Sequence, residues 1–199
     1  DKHKHLTTLI ADEVDRIAQL IDRMQRLGRE RTEPVGPINL HEAVRRALDT
    51  VRAASDRPLH IREEFDPSLP PVLGNEGALV QVLINLLANA RDACADQREP
   101  QVVIRTRFVS GLVMNVIRLG RPVKLPIEIQ VSDNGPGIPP DQRARLFHPF
   151  VSTKTKGMGL GLAVCADILH EHKATIIVPD IERPGATFRI TFPCPPPSS

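Results

Sequence analysis

The chain has 199 residues, the size of one domain or of one domain with an appendage. A net charge of +2 without a long basic block gives no reason to expect a nucleic-acid partner. The three cysteines are scattered and form no C-x-x-C pair, which favours reduced thiols over disulfides or a metal site. No apolar run is long enough to cross a membrane, and there is no signal peptide. We therefore expect a cytoplasmic chain with no membrane segment. Because it begins at Asp1 inside a helical pattern, we expect a piece of something longer.

The first 28 residues carry a heptad seam. Apolar residues step by four and three along it, at Ile10, Val14, Ile17, Ile21 and Met24. This pattern predicts a long helix that buries its stripe against the next domain or against a partner helix, and its regularity favours a dimer. Residues 29–37 read as a linker by composition, and residues 38–193 as the main domain.

The main domain is predicted to mix helices and strands. Asn39 with Glu42 has the spacing of a helix N-cap, and Asn75 is placed to cap a second helix that runs to about Ala95. Strands are predicted over 59–65, 101–109, 112–125, 127–133, 174–178 and 186–192. Shorter helices are predicted over 141–147 and 162–170, residues 67–75 as a turn-rich connection, and residues 194–199 as a disordered tail.

The second helix carries an amide stripe. Gln81, Asn85 and Asn89 recur every four residues and so share one face. A solvated stripe is the plain interpretation, but asparagine is a mediocre helix former, and a merely wet face more often carries charged residues. An asparagine carbonyl oxygen is a hard ligand that suits Mg²⁺ bound together with phosphates. The residues themselves leave both interpretations open.

The next strand ends in a carboxylate and two glycines. Ile127, Ile129 and Val131 alternate with polar residues, which predicts a strand with one buried face. Asp133 accepts hydrogen bonds only, so it suits the exocyclic amine of adenine and not the carbonyl of guanine. Gly135 and Gly137 would let the backbone pass under a flat ring. The same D-N-G-P-G sequence is also a good turn.

A loop over residues 148–157 and a glycine-rich helix start follow. A solvated surface loop is the plain interpretation. The functional one is a lid whose Lys154 meets phosphate as a point charge. Gly157, Gly159, Leu160 and Gly161 open a helix, where free N–H groups and the helix dipole favour phosphate. The alternative is close packing at the start of the helix.

Taken together, these motifs resemble the ATP-binding domain shared by sensor histidine kinases, gyrase, Hsp90 and MutL. The resemblance lies in four ordered motifs: N-L-L-A-N over 85–89, D-N-G-P-G over 133–137, F-H-P-F over 147–150 and G-M-G-L-G over 157–161. It implies the Bergerat-type fold, a two-layer α/β sandwich with a mixed sheet, preceded here by one helix of a dimerisation hairpin. It also implies that Asp133 reads adenine and that Asn89 holds Mg²⁺. The glycines and Lys154 would hold the ATP phosphates.

Within that superfamily, Asn85 resembles the histidine kinase branch. Hydrolysing members carry a Glu at the matching position, and an amide cannot act as a general base. The F-x-P-F box and the heptad helix also resemble the kinase branch. The stretches E-V-D-R-I-A-Q-L-I-D-R-M over 13–24 and D-P-S-L-P-P-V-L-G-N over 66–75 look most like nitrogen-regulation sensor kinases. This implies transfer of phosphate to a histidine, then to a response regulator, with a homodimer and a PII-type signal protein as partners.

Some features depart from the histidine kinase pattern. None of the seven histidines is assigned as phosphoacceptor, and we expect His41 to be a solvated helix start and no autophosphorylation by this chain alone. The usual H-G-G after the last helix is H-K-A here. The usual G-T-x-F is G-A-T-F, so the Thr that supports the adenine Asp is lost or displaced to Thr187. An ATPase of the gyrase or Hsp90 branch and a degenerate dimerisation module remain alternatives.

Overall fold

The computed structural model describes residues 34–55, 60–109, 117–118, 121–122, 126–143, 145–148, 160–180 and 184–194. The chain divides into two compact units, Asp1–Pro34 and Val35–Ser199. The predictions for the heptad helix, most of the lid loop and the end of the tail lie outside the described residues. Among the helices that the structure describes, none is long and apolar enough to cross a membrane.

Four helices and nine strands are described in the second unit. The helices are α1 (Leu40–Ala53), α2 (Glu76–Ala93), α3 (Pro140–Arg143) and α4 (Gly161–Glu171). The strands are β1 (Gly36–Ile38), β2 (His60–Glu64), β3 (Val72–Gly74), β4 (Gln101–Phe108), β5 (Ile117–Arg118), β6 (Arg121–Pro122), β7 (Ile127–Asp133), β8 (Thr175–Ile177) and β9 (Thr187–Phe192).

Five of these strands form one mixed sheet in the order β2-β4-β7-β9-β8. β2 pairs in parallel with β4, and the other neighbours are antiparallel. α2 packs against β4 and β7, while α1 and α4 both pack against α2. The result is the two-layer α/β sandwich with a mixed sheet that the motifs imply.

Asparagine caps set the start of the two long helices. Asn39 accepts hydrogen bonds from the backbone N–H groups of His41 and Glu42, at 3.0 and 3.4 Å, and its own amide reaches Glu42. Asn75 accepts from the N–H of Ala78 at 2.8 Å. Each cap satisfies donors that the first helical turn leaves open, as the spacing in the sequence predicts.

The core lies between α2 and the sheet. All seven residues of β7 are buried, so the prediction of a single buried face was wrong. The second face carries a buried ion-pair group, in which the side chain of Glu128 is only 3% exposed. Its carboxylate lies 2.7 Å from Arg107 Nη2 on β4 and 3.2 Å from Arg189 Nε on β9, and Gln130 donates to it. Charged partners from both neighbouring strands allow the polar face to be buried.

Two short strand pairs also differ from the sequence expectation. β1 and β3 pair with each other, within segments predicted as linker and as turns, and Gly36 lies opposite Gly74. Residues 36 and 37 therefore belong to the folded domain. Where a strand interrupted at residues 120–122 was predicted over 112–125, β5 and β6 pair as a short antiparallel ribbon. Runs of two or three residues are too short for periodicity to reveal them.

Candidate functional site

Asp133 is the last residue of β7 and is only 5% exposed. Its Oδ1 accepts hydrogen bonds from the backbone N–H groups of Gly135 at 2.9 Å and Ala186 at 3.1 Å. The N–H of Asp133 in turn donates to the Ala186 carbonyl at 3.0 Å. The carboxylate is therefore held in one orientation.

Glycines let three backbone segments meet around this carboxylate. Gly185 has a φ of +90°, and a Cβ built there would lie 1.8 Å from the Asp133 carbonyl oxygen. Gly137 has a φ of +81° and faces the Gly185 carbonyl, while a Cβ at Gly135 would lie 2.6 Å from the Ala93 carbonyl. These close backbone contacts explain why positions 135 and 137 are glycines. Gly185 is not among the site residues that the motifs predict.

The amide stripe of α2 leads to this carboxylate. Ala93 continues the stripe of Asn85 and Asn89 by one more step of four residues, and it is Ala93 that Gly135 contacts. At the other end, the Asn85 amide nitrogen lies 3.6 Å from the Cys165 sulfur on α4. Four residues of helix rise about 6 Å. Asn89 therefore lies midway between the turn after Asp133 and α4.

The start of α4 offers backbone N–H groups. Leu160 is its N-cap residue and makes no side-chain capping bond, and Gly161 is its first helical residue. The first N–H groups of a helix lack intrahelical partners and carry the positive end of its dipole. A Cβ at Gly161 would meet nothing within 4 Å among the described residues. Packing among the described residues therefore gives no reason for a glycine here, and the role of Gly161 at phosphate stays a prediction.

The predicted residues do not all fall within the described part. Lys154, Gly157 and Gly159 lie outside it, and their roles stay predictions. The Thr187 hydroxyl is 2.9 Å from the Ser132 hydroxyl. Because Ser132 alternates with Val131 and Asp133, these two hydroxyls lie on the other face of the sheet. A role for Thr187 at the nucleotide stays a prediction.

A shallow cleft opens beside Ala186. It is lined by Ile138, Arg143, Val178, Pro179, Gly185, Ala186 and Thr187. Arg143 closes one side, since it donates to the Ile138 carbonyl at 3.1 Å and pairs with Asp180 at 2.5 Å. Asp133 is not in the lining itself. The cleft borders the backbone that holds the Asp133 carboxylate.

The thiols next to the site are protonated. Burial raises the pKa of Cys165 to about 12, and its sulfur also approaches the Val82 carbonyl at 3.9 Å. Burial raises the pKa of Cys94 as well, and the nearby Asp133 charge adds to this. Neither thiol is a nucleophile near neutral pH, because only the thiolate reacts.

The donor set fits Mg²⁺ bound with phosphates. Within the described ranges, no three His, Cys, Asp or Glu side chains are grouped to hold a metal ion. Mg²⁺ commonly takes one or two protein oxygens together with substrate phosphates. An amide oxygen such as that of Asn89 on α2 suits that arrangement, and its role as a Mg²⁺ ligand stays a prediction.

His41 is a structural residue, so the expectation of a solvated helix start was wrong. Its Nε2 lies 2.9 Å from the Thr106 hydroxyl, and its ring stacks on Phe65 at 4.8 Å. Burial lowers the pKa of His41, and the charge of Arg45 adds to this. The aromatic partner lies 24 positions away in the sequence, so no local pattern reveals it.

The H-K-A segment keeps a glycine-type helix ending. Lys173 has a φ of +56°, the left-handed conformation that glycine adopts without strain. Its N–H donates to the His170 carbonyl, and the N–H of Ala174 donates to the Leu169 carbonyl, which is the Schellman pattern. His172 links this end to α2, since its Nε2 accepts from the Asn75 N–H at 2.9 Å. The departure from H-G-G therefore leaves the geometry intact.

Comparison with known proteins places these features in a family. Residues 74–196 match the family of histidine kinase-, DNA gyrase B-, and HSP90-like ATPases. The chain is 40% identical over 193 residues to the sensory histidine kinase/phosphatase NtrB of Rhizobium meliloti, covering 97% of this chain and 50% of that protein. It is 39% identical over 196 residues to NtrB of Rhodobacter capsulatus, covering 96% and 53%.

A solved structure shows the same fold. The mycobacterial sensor histidine kinase MprB matches with a TM-score of 0.63 and 25% identity, over 80% of this chain and 97% of that one. The chain spans about half the length of the curated relatives named above. The family model covers more than half of the chain and begins at the residue before the Asn75 cap. This chain belongs to the family of histidine kinase-, DNA gyrase B-, and HSP90-like ATPases.

Proposed function

We propose that this chain is the catalytic, ATP-binding part of a nitrogen-regulation sensor histidine kinase. It binds Mg-ATP and transfers the γ-phosphate to a histidine on a separate helix. The observation that carries the proposal is the Asp133 carboxylate, buried and held by the N–H groups of Gly135 and Ala186. The similarity to NtrB proteins supports the kinase branch and the nitrogen-regulation type.

Base recognition follows from the chemistry of Asp133. A fixed carboxylate can accept from the exocyclic amine of adenine. Against guanine it would face a carbonyl, and an unpaired acceptor in a dry site costs about 1–3 kcal/mol. The site should therefore prefer ATP to GTP.

Phosphate binding involves α2 and α4, which contact each other at Asn85 and Cys165. Gly161 and Leu160, together with Gly157, Gly159 and Lys154, hold the phosphates at the start of α4. The Asn89 amide oxygen holds Mg²⁺, which neutralises phosphate charge when it is bound. The protein contributes position and charge and needs no covalent intermediate of its own.

Asn85 separates phosphate transfer from hydrolysis. Its amide nitrogen donates towards the Cys165 sulfur, and its oxygen accepts from Gln81 at 3.3 Å. A carboxamide has no basic form that could activate water. We infer that the γ-phosphate is kept for a histidine acceptor and is not lost to water.

The partners follow from the same assignment. We propose that the heptad segment pairs the chain with a second copy, and that phosphate passes from the histidine to an aspartate of a response regulator. A PII-type signal protein is the proposed controlling partner. These proposals concern the whole kinase, of which this chain spans about half.

The test is phosphorylation of a separately supplied hairpin that carries an acceptor histidine. Incubated with labelled Mg-ATP, this chain should produce acid-labile label on the hairpin and none on itself. Asn89→Ala should abolish the labelling, since the Mg²⁺ ligand is lost, while Thr191→Val on the far strand face is the matched control. Label that appears on this chain alone would contradict the assignment.

Two other functions give different results in the same assay. A hydrolase would release phosphate steadily without the hairpin, and Asn85→Ala would abolish that release. A degenerate module would neither label the hairpin nor bind Mg-ATP in calorimetry. The intact helix ending at Lys173 and the anchored Asp133 both favour a working site over a degenerate one.

A further inference from the structure

Cys165 connects α4 to the amide stripe of α2. It lies one helical turn after Gly161 and is fully buried. Its sulfur is 3.6 Å from the Asn85 amide nitrogen and 3.9 Å from the Val82 carbonyl oxygen. The protonated thiol can donate to the carbonyl, and its lone pairs can accept from the amide. The thiol therefore bridges the two helices, donating to the Val82 carbonyl and accepting from the Asn85 amide.

This contact fixes which way the Asn85 carboxamide faces. The nitrogen end faces the sulfur on α4, and the oxygen end accepts from Gln81 at 3.3 Å. The two ends of a carboxamide have nearly the same shape, so only their hydrogen-bond partners distinguish the two orientations. Without the Cys165 thiol, the Asn85 amide nitrogen loses a hydrogen-bond partner that favours this orientation.

We propose that Cys165 is a positioning residue that orients Asn85 and keeps the amide stripe in register with the start of α4. The proposal rests on the function proposed above, in which Asn85 and Gly161 border the transferring phosphate. It assigns to a buried cysteine the task of holding a neutral amide where hydrolysing relatives carry an acid. The thiol itself touches neither the nucleotide nor the acceptor.

Three substitutions separate positioning from packing. Cys165→Val fills the space with a slightly larger side chain that cannot hydrogen-bond, while Cys165→Ser keeps a donor and an acceptor. Ile168→Val, one turn further along α4, is the control for a change in buried packing that removes no hydrogen bond. One hydrogen bond contributes about 0.5–1.5 kcal/mol, which corresponds to a two- to twelvefold effect on rate.

The first measurement is hairpin phosphorylation at saturating Mg-ATP. Cys165→Val should lower the transfer rate about fivefold with the Mg-ATP Kd within twofold. Cys165→Ser should recover at least half of the rate, and Ile168→Val should match the parent chain. In an Asn85→Ala background, Cys165→Val should have no further effect, because its partner is gone. An equal effect in both backgrounds, or the same loss in Ile168→Val, would overturn the proposal.

The second measurement needs no nucleotide and so stands apart from the proposed function. The side-chain amide signals of Asn85 in a ¹⁵N NMR spectrum should shift in Cys165→Val and stay in place in Ile168→Val. Unchanged Asn85 signals in the valine variant would overturn the positioning role even if the kinase assay succeeds. Failure of the parent chain to bind Mg-ATP, with shifted Asn85 signals, would instead count against the proposed function alone.

Discussion

The substitution Asp133→Asn should change which nucleotide base this site prefers. The two side chains have nearly the same shape, and an asparagine oxygen can still accept from the N–H groups of Gly135 and Ala186. Those two bonds then fix the amide so that its NH₂ group replaces the second carboxylate oxygen. The variant would present a donor where the parent chain presents an acceptor.

The magnitude follows from the burial of Asp133, which is 5% exposed. In a dry site, an NH₂ group facing the adenine amine leaves two donors unpaired, at a cost of about 1–3 kcal/mol. This corresponds to a loss of ATP affinity of roughly 5- to 150-fold. Guanine presents a carbonyl at that position, so GTP affinity should rise and the preference should narrow or invert.

Titration calorimetry of the parent chain and of Asp133→Asn, with Mg-ATP and with Mg-GTP, measures these affinities. Thr191→Val is the control, since Thr191 is buried on β9 and its hydroxyl lies 2.6 Å from Thr175, away from the proposed site. It should lose stability but keep the ATP preference. An ATP affinity of Asp133→Asn within twofold of the parent chain would refute the assignment of Asp133 to the base.

Four further predictions concern stability. Lys173→Gly should raise the free energy of unfolding by about 1 kcal/mol in urea titration, because it relieves a left-handed φ; a decrease would contradict the helix ending described here. Gly185→Ala should lower it by more than about 2 kcal/mol, since its Cβ would meet the Asp133 carbonyl oxygen, and an unchanged melting curve would be inconsistent with that contact. Glu128→Ala should lower the free energy of unfolding by about 2–3 kcal/mol, because Arg107 and Arg189 lose their shared carboxylate. A loss under about 0.5 kcal/mol would mean that water replaces the carboxylate at both arginines. The raised pKa of Cys165 stabilises the fold below pH about 9, and this contribution is lost as the pH rises towards about 12. Between pH 7.5 and 10 the parent should lose about 1–2 kcal/mol more than Cys165→Val, and equal losses would contradict the buried thiol.

The sequence predicts this domain well wherever the evidence is periodic or local. The apolar spacing of α1 and α2 marks their buried faces, and Asn39 and Asn75 mark their starts. The strand that ends at Asp133 is where the alternation places it. The four ordered motifs were sufficient to indicate the family, because their order and spacing together are specific even though each motif alone is weak.

The missed features all depend on contacts between distant parts of the chain. Gly185 matters because its backbone crosses that of Asp133, and Glu128 can be buried because Arg107 and Arg189 flank it. The hydrogen bond of His41 to Thr106 spans 65 positions. No periodicity encodes such pairs. The hydrogen bond from the Ala186 backbone to the Asp133 carboxylate likewise spans 53 positions.

The most direct test of the account is a crystal structure of this chain with Mg²⁺ and a non-hydrolysable ATP analogue. We expect the exocyclic amine of adenine within about 3 Å of the Asp133 carboxylate, the distance of an ordinary N–H···O hydrogen bond. The same structure should show the Asn89 amide oxygen about 2.1 Å from Mg²⁺. A nucleotide bound away from Asp133, or a metal ion without Asn89 among its ligands, would contradict the account.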